Sequence, residues 1–160
     1  MLDRYWSGQP SRISPVAPVP VVKVSEIEDR AGGAGNVALN IASLTAQTSL
    51  LGLVGSDDNA QVLTTTLRHS NIKTQFTAVA SHPTITKLRV LSRHQQLIRL
   101  DFEESFADAD NSNMLENFKQ QIEECDVVIL SDYGKGALSN IEDFIAIANN
   151  ANKPIFIDPK

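Results

Sequence analysis

Short apolar runs alternate along this chain with segments of helical period, and that alternation restricts it to an α/β architecture. Ser49-Leu50-Leu51-Gly52-Leu53-Val54 is a brief apolar run closed by Gly55, the pattern of a strand buried on both faces. Before it, Val37, Ile41 and Leu44 recur at i, i+4 and i+7, one face of a helix over 35–45 that Gly32-Gly33 introduces. After it, Asp57-Asp58 offers an N-cap and an acidic first turn for a helix through about 69. The rhythm continues with a helix over about 112–124, the strand Val127-Val128-Ile129-Leu130, a helix over about 139–150 and the strand Pro154-Ile155-Phe156-Ile157. The last two strands run into polar loops, Ser131-Asp132-Tyr133-Gly134-Lys135-Gly136 and Asp158-Pro159-Lys160. In open α/β sheets the carboxyl ends of strands are where ligands bind.

The rhythm breaks once. Residues 74–80, 84–92 and 95–103 are three extended segments with no helix between them, the last alternating Leu97, Arg99 and Asp101 against Ile98, Leu100 and Phe102. Antiparallel pairing is the expectation. Together with an exposed strand at 19–24, entered through Pro15, Pro18 and Pro20, these segments would form a small second sheet beside the main one.

Composition removes several function classes. The 160 residues, 42% hydrophobic and 21% charged, suit one soluble globular domain. A net charge of −5 without a run of Lys or Arg argues against nucleic acid and anionic membrane as partners. No apolar stretch nears the roughly 20 residues of a membrane span, and the N-terminus lacks the order of a signal peptide, so a cytoplasmic address is expected. Cys125, the sole cysteine, can form no internal disulfide. His69, His82 and His94 lack metal-ligand spacing and read as surface residues.

Three places could carry chemistry. Gly32-Gly33-Ala34-Gly35-Asn36 opens a helix, where paired glycines admit a ligand to the backbone and the Asn36 amide can both donate and accept, as a polyol requires. The same letters also describe a plain tight turn, and no Gly-Lys-Ser/Thr follows to make a P-loop. Lys87 and Arg89 share a strand face by period two, as do Arg99 and Asp101, either to hold a phosphate or to form cross-strand ion pairs in solvent. Asp132 with Lys135, and Asp158 with Lys160, put an acid and a cation at the ends of two expected parallel strands. Phosphoryl transfer uses such groups, although isolated loop charges look the same.

Together these residues resemble the ribokinase/phosphofructokinase B family of carbohydrate kinases. Small residues at 32–34, Asn36, Ala38 and Gly55 fit its first signature, whereas Thr45 stands where Gly or Ser is expected and would weaken a left-handed helix C-cap. Met1-Leu2-Asp3-Arg4-Tyr5-Trp6, Ser11-Arg12-Ile13-Ser14-Pro15, Pro83-Thr84-Ile85-Thr86-Lys87-Leu88-Arg89 and Gln95-Gln96-Leu97-Ile98-Arg99-Leu100-Asp101-Phe102-Glu103 are similar to the heptose 7-phosphate kinase branch of that family. The likeness extends over essentially the whole chain.

The resemblance implies a ribokinase-like three-layer sandwich with a mostly parallel central sheet and a small β lid over about 19–24 and 84–103. It implies transfer of the γ-phosphoryl group of ATP, with Mg²⁺, to the anomeric hydroxyl of D-glycero-D-manno-heptose 7-phosphate, on the route to ADP-heptose and lipopolysaccharide core. On this analogy Asp3, Gly32, Gly33 and Asn36 bind sugar hydroxyls, and Lys87, Arg89 and Arg99 receive the sugar's existing phosphate. Asp132, Lys135, Asp158 and Lys160 lie near the transferred phosphoryl group; no residue is assigned as a direct metal ligand. The lid is expected to cover the sugar and to join two subunits.

The family's first central strand would precede Met1, and its catalytic Asp and most of its nucleotide pocket would follow Lys160. The 160 residues alone are therefore expected to be an inactive kinase fragment. A non-catalytic sugar-binding or dimerisation remnant, and a kinase for another sugar of the family, are the competing readings.

Overall fold

The apolar run Ser49–Gly55 forms strand β3, and α2 (Asp58–His69) carries the chain back to β4 (Lys73–Val79), which lies parallel to β3. This is a strand-helix-strand crossover closed by the burial of α2 on the strands. Leu63 and Leu67 of α2 pack with Val54, Ile72, Leu2 and Ala38. Leu67 is wholly buried, and each such side chain is worth about 1.5–3 kcal/mol of transfer free energy. Ala38 comes from α1 (Ala34–Ser43), so α1 and α2 share one face of β3. The alternate residues Leu51 and Leu53 join the opposite cluster, made by α3 (Ser112–Gln121), α4 (Ile141–Asn150) and β7 (Val128–Asp132). Helices thus cover both faces of the strands, giving three layers.

The computed structural model describes residues 1–93 and 95–159, so His94 and Lys160 lie outside the described residues. Strand β8 (Ile155–Pro159) pairs with β7 in parallel. Among the described residues the β3-β4 and β7-β8 pairs are not joined by a ladder, although Leu51 and Leu53 reach the cluster built on Val128 and Leu130.

The second sheet is larger than its sequence suggests. It has four strands in the order β2-β1-β5-β6: β1 is Leu2–Ile13, β2 Pro20–Ala31, β5 Thr86–Ser92 and β6 Gln95–Phe102. The strand expected at 19–24 runs on to Ala31 because β1 pairs with it throughout. Strand β1 itself has no counterpart in the expectations above. Both of its faces carry charges, and Pro10 interrupts it, tolerated where the register shifts between Pro10 and Arg12.

One expectation of antiparallel pairing fails. Segment 74–80 belongs to β4 and pairs in parallel with β3, since α2 supplies the crossover that parallel strands need. Strand β5 is antiparallel to β6, as expected, but parallel to β1, so the second sheet is mixed. Nor does His82 sit at the surface: its side chain is 11% exposed and stacks on Phe106 with ring centroids 4.9 Å apart. Thr45 adopts φ 68° just after α1, the left-handed position that its β-branched side chain disfavours.

Candidate functional site

Pairing in the second sheet lines up its charges. Arg30, Asp3, Lys87 and Asp101 fall in one cross-strand row, and Glu28, Tyr5, Arg89 and Arg99 in the row two residues away along β1. Residues opposite one another, and two apart along a strand, share a face. One face therefore carries four cations, three carboxylates and a phenol. The neighbouring register positions form the other face and bring together Ile27, Trp6, Val90 and Ile98, then Arg4, Leu88 and Leu100, then Leu2, Thr86 and Phe102.

On the charged face most groups are already engaged. Arg89 donates to Asp3 at 2.5 Å with both side chains largely buried, and this bond holds its guanidinium above the already high value of arginine. Arg30 pairs with Glu28 at 2.6 Å and Arg99 with Asp101 at 2.8 Å. The guanidiniums of Arg30 and Arg89 lie 4.6 and 5.3 Å from the centroid of Tyr5, within cation–π range. Lys87, between Asp3 and Asp101 in register, forms no ion pair among the described residues.

Asp3 also meets the glycine turn. A Cβ on Gly32 would stand 2.1 Å from Asp3 Oδ2, so only glycine lets the carboxylate lie against this backbone. Gly33 has φ 55° and ψ −132°, a conformation that side chains oppose. Its carbonyl accepts from the amides of Asn36 and Val37 at 2.9 and 3.2 Å, starting α1 directly at the turn. A cavity of about 430 Å³ opens here, lined by Asp3, Tyr5, Arg30, Gly33 and Asn36 among others. Three of the residues expected to meet sugar hydroxyls, Asp3, Gly33 and Asn36, thus line one cavity, with Gly32 against Asp3.

Lys87, Arg89 and Arg99 do not line that cavity, although Arg89 reaches it through Asp3. Asp132 and Asp158 lie apart from it at the ends of β7 and β8. Ser131 hydroxyl donates to Asp158 at 3.4 Å, and Asp132 accepts from the Gly134 amide at 2.9 Å. Lys135 forms an ion pair with Glu103, the residue after β6. The expected site is thus two groups of residues, one at the glycine turn and one at the β7 and β8 loops, and Lys160 of the second group lies outside the described residues. Tyr5, Arg30 and Glu103 went unread in the sequence. Once β1 is recognised as a strand, period two places Tyr5 on the face of Asp3, which is the signal that could have found it.

Comparison with known proteins bears on this arrangement. The model of the pfkB family of carbohydrate kinases matches residues 4–160. The bifunctional protein HldE of Haemophilus ducreyi is 58% identical over 160 residues, which are 100% of this chain and 34% of that protein. Its counterpart in Photorhabdus laumondii is 56% identical over the same shares. The chain thus spans about a third of the length of these curated relatives. Phosphofructokinase-2 from Escherichia coli in complex with fructose-6-phosphate superposes with a TM-score of 0.69 at 18% identity, covering 99% of this chain and 51% of that one. A putative phosphofructokinase from Staphylococcus aureus gives 0.76 at 15% identity, covering 98% and 49%. These structural likenesses speak for the ribokinase-like fold alone, with its mostly parallel central sheet. Because the family match runs almost from end to end and the curated relatives are 56% and 58% identical to it over all 160 of its residues, this chain belongs to the pfkB family of carbohydrate kinases.

Proposed function

We propose that this chain is the sugar-phosphate-binding portion of a kinase that transfers the γ-phosphoryl group of ATP to the anomeric hydroxyl of D-glycero-D-manno-heptose 7-phosphate, in the cytoplasmic supply of ADP-heptose for lipopolysaccharide core. The observation that carries the reading is the meeting of Asp3 with the Gly32-Gly33 turn beside a sheet face bearing Arg30, Lys87, Arg89 and Arg99. Asp3 accepts hydrogen bonds from the sugar's hydroxyls, and Asn36 both accepts and donates. Lys87, the cation of its row without an ion pair among the described residues, attracts the sugar's phosphate. Arg89 fixes Asp3, and Arg99 flanks the phosphate from β6. That a solved relative holds fructose-6-phosphate agrees with a phosphorylated sugar as acceptor.

The β7 and β8 loops face the transferred group in this reading. Among the described residues no three His, Cys, Asp or Glu side chains converge on a point where a metal could sit. Mg²⁺ keeps several waters and binds nucleotide phosphates with few protein ligands; Asp132 and Asp158, paired with their neighbours at the ends of β7 and β8, would meet it in that partly hydrated form. When bound, the ion neutralises charge on the phosphoryl oxygens. Lys135 adds positive charge on the same side. The chain spans about a third of the length of its curated relatives, so the activity proposed is that of the whole protein carrying it.

The lid's apolar face supports a homodimer through this sheet. No helix among the described residues is long and apolar enough to cross a membrane.

Calorimetric titration of the protein carrying this chain with the heptose and with its 7-phosphate, alongside an ATP-dependent kinase assay on both, tests the reading. Preference for the phosphorylated sugar and phosphorylation at its anomeric carbon are expected. Equal affinity for the two sugars would remove the cationic face from its role, and phosphorylation of another sugar would reassign the substrate within the family.

A further inference from the structure

We propose that the segment Glu103–Asp108 is a strut that transmits the position of the lid to the Asp132–Lys135 loop, with Glu103 and Phe106 as positioning residues. The consequence for catalysis rests on the kinase reading above; the mechanical link does not.

The lid and the β7 loop come from different sheets, and no ladder joins them among the described residues. What joins them begins immediately after β6, which ends at Phe102. Glu103 pairs with the ammonium of Lys135, both side chains about one-third exposed at 32% and 34%. Three residues on, the Phe106 amide donates to the carbonyl of Lys135 at 2.9 Å. The next residue of the loop, Gly136, has φ 91°, and a Cβ there would lie 2.1 Å from the Ala107 nitrogen and 2.3 Å from the Phe106 carbonyl carbon. The two backbones are therefore in direct contact, and the loop can take this shape only with glycine at that point.

The other end of the strut is anchored as well. Phe106 is 2% exposed and stacks on His82, whose ring Nε2 lies 3.3 Å from Asp108. His82 stands in the turn that leads into β5, the second lid strand on this side. Phe106 is thus wedged between the approach to β5 and the β7 loop, while Glu103 is fixed to the end of β6. A shift of β5 and β6 toward bound sugar cannot leave Lys135 in place, because side-chain and backbone bonds of one residue both tie it to the moving segment. Lys135 is oriented by the lid rather than by β7 alone.

Hydrogen exchange on the protein carrying this chain decides the link, with Glu103→Gln, Phe106→Ala and, as control, Glu104→Gln, whose side chain is exposed and takes no part. Glu103→Gln keeps the size of the side chain, so it reports even if Phe106→Ala fails to fold. The expected result is exchange at the amides of 134–136 about tenfold faster in Glu103→Gln and in folded Phe106→Ala, with β7 amides and the Glu104→Gln control unchanged. Unchanged loop exchange in Glu103→Gln overturns the strut. In the kinase assay kcat should fall about tenfold in Glu103→Gln while KM for the sugar phosphate stays within twofold; a purely structural role would lower thermal stability and leave both constants alone. A wild-type protein without phosphoryl transfer would count against the kinase reading, and the exchange result would still decide the link.

Discussion

The carboxylate of Asp57 holds Thr84, 27 residues further along the chain, by two bonds: Oδ2 accepts from the Thr84 amide at 2.8 Å and Oδ1 from its hydroxyl at 2.6 Å. Oδ1 also accepts from the Ala60 amide at 2.9 Å, which caps α2, while the Thr84 hydroxyl accepts from the Gly55 amide at 2.9 Å. One side chain therefore closes the end of β3, starts α2 and fixes the entry to lid strand β5. Burial alone would raise the Asp57 carboxyl, but the bonds from Thr84, Ala60 and Asn59 outweigh it and hold the group below its ordinary value of 3.8.

Asp57→Asn keeps one acceptor oxygen and loses the other, so it should cost about 1–2 kcal/mol at pH 7. The pH dependence follows from the sign of the shift. A carboxyl whose folded pKa is depressed contributes stability above its unfolded pKa, and that contribution is lost as pH falls through the folded value. The gap between wild type and Asp57→Asn should be full above about pH 5 and should shrink below about pH 4. Denaturant melts at pH 7 and pH 3 measure it; a gap that does not narrow in acid would mean the carboxylate is not the source.

Thr45 supplies a prediction of opposite sign. Its φ of 68° closes α1, a conformation that costs a non-glycine residue about 1–2 kcal/mol. Glycine relieves that cost but gains entropy when unfolded, so Thr45→Gly should be stabilising by about 0.5–1 kcal/mol, a rise of roughly 2–4 °C per kcal/mol in a domain of this size. Differential scanning calorimetry would show it, and a fall in Tm would mean that the Thr45 side chain makes a compensating contact.

How far the sequence could be read follows from where each pattern is local. The elements β3 and α2 are legible because a short apolar run and a helical period govern them and Gly55 and Asp57 mark the turn between them, while α4 and β8 are legible from the same two local patterns. The turn at Gly32-Gly33 was legible for the same reason. Strand β1 was not, because Asp3, Arg4 and Arg12 put charge on both of its faces and only pairing with β2 and β5 explains them. Missing β1 hid Tyr5 and left the lid one strand short. The Asp3–Arg89 pair was beyond reach as well, since it spans 86 residues and depends on the parallel register of β1 with β5. Glu103 reads as the last residue of an extended segment until tertiary structure brings Lys135 beside it.

The lid's second face is the place to test association. Ile27, Ile98, Leu100 and Phe102 are between 41% and 60% exposed there, and they fall on one side of the sheet in register with Trp6, Leu88 and Val90. A contiguous exposed apolar patch on a sheet marks an interface. On the proposed dimer, a charge placed in the middle of this face by Ile98→Glu should shift dimer to monomer, with at least a tenfold rise in dissociation constant, about 1.4 kcal/mol or more. Sedimentation velocity across a concentration series reads this directly. A wild-type chain that stays monomeric at high micromolar concentration would overturn the dimer through this sheet.

Lys87 permits the sharpest separation of roles on the charged face. Arg89 is engaged by Asp3, and Arg99 by Asp101, so an arriving phosphate would have to compete with a carboxylate for either. Lys87 stands between the same two carboxylates in register without an ion pair to either among the described residues. Its ammonium is held in the field of both yet is committed to neither. A charge-assisted bond to phosphate is worth about 1.5–3 kcal/mol. Lys87→Met should therefore weaken binding of the phosphorylated sugar about ten- to hundredfold and leave the unphosphorylated sugar nearly unaffected. Arg99→Met, which removes a half-exposed group already paired, should cost severalfold at most. Arg89→Met should weaken both sugars alike, because it releases Asp3 from its position beside the Gly32-Gly33 turn rather than removing a phosphate contact. Titration calorimetry of the three variants with both sugars distinguishes these patterns, and equal losses for both sugars in Lys87→Met would place the phosphate elsewhere on the lid.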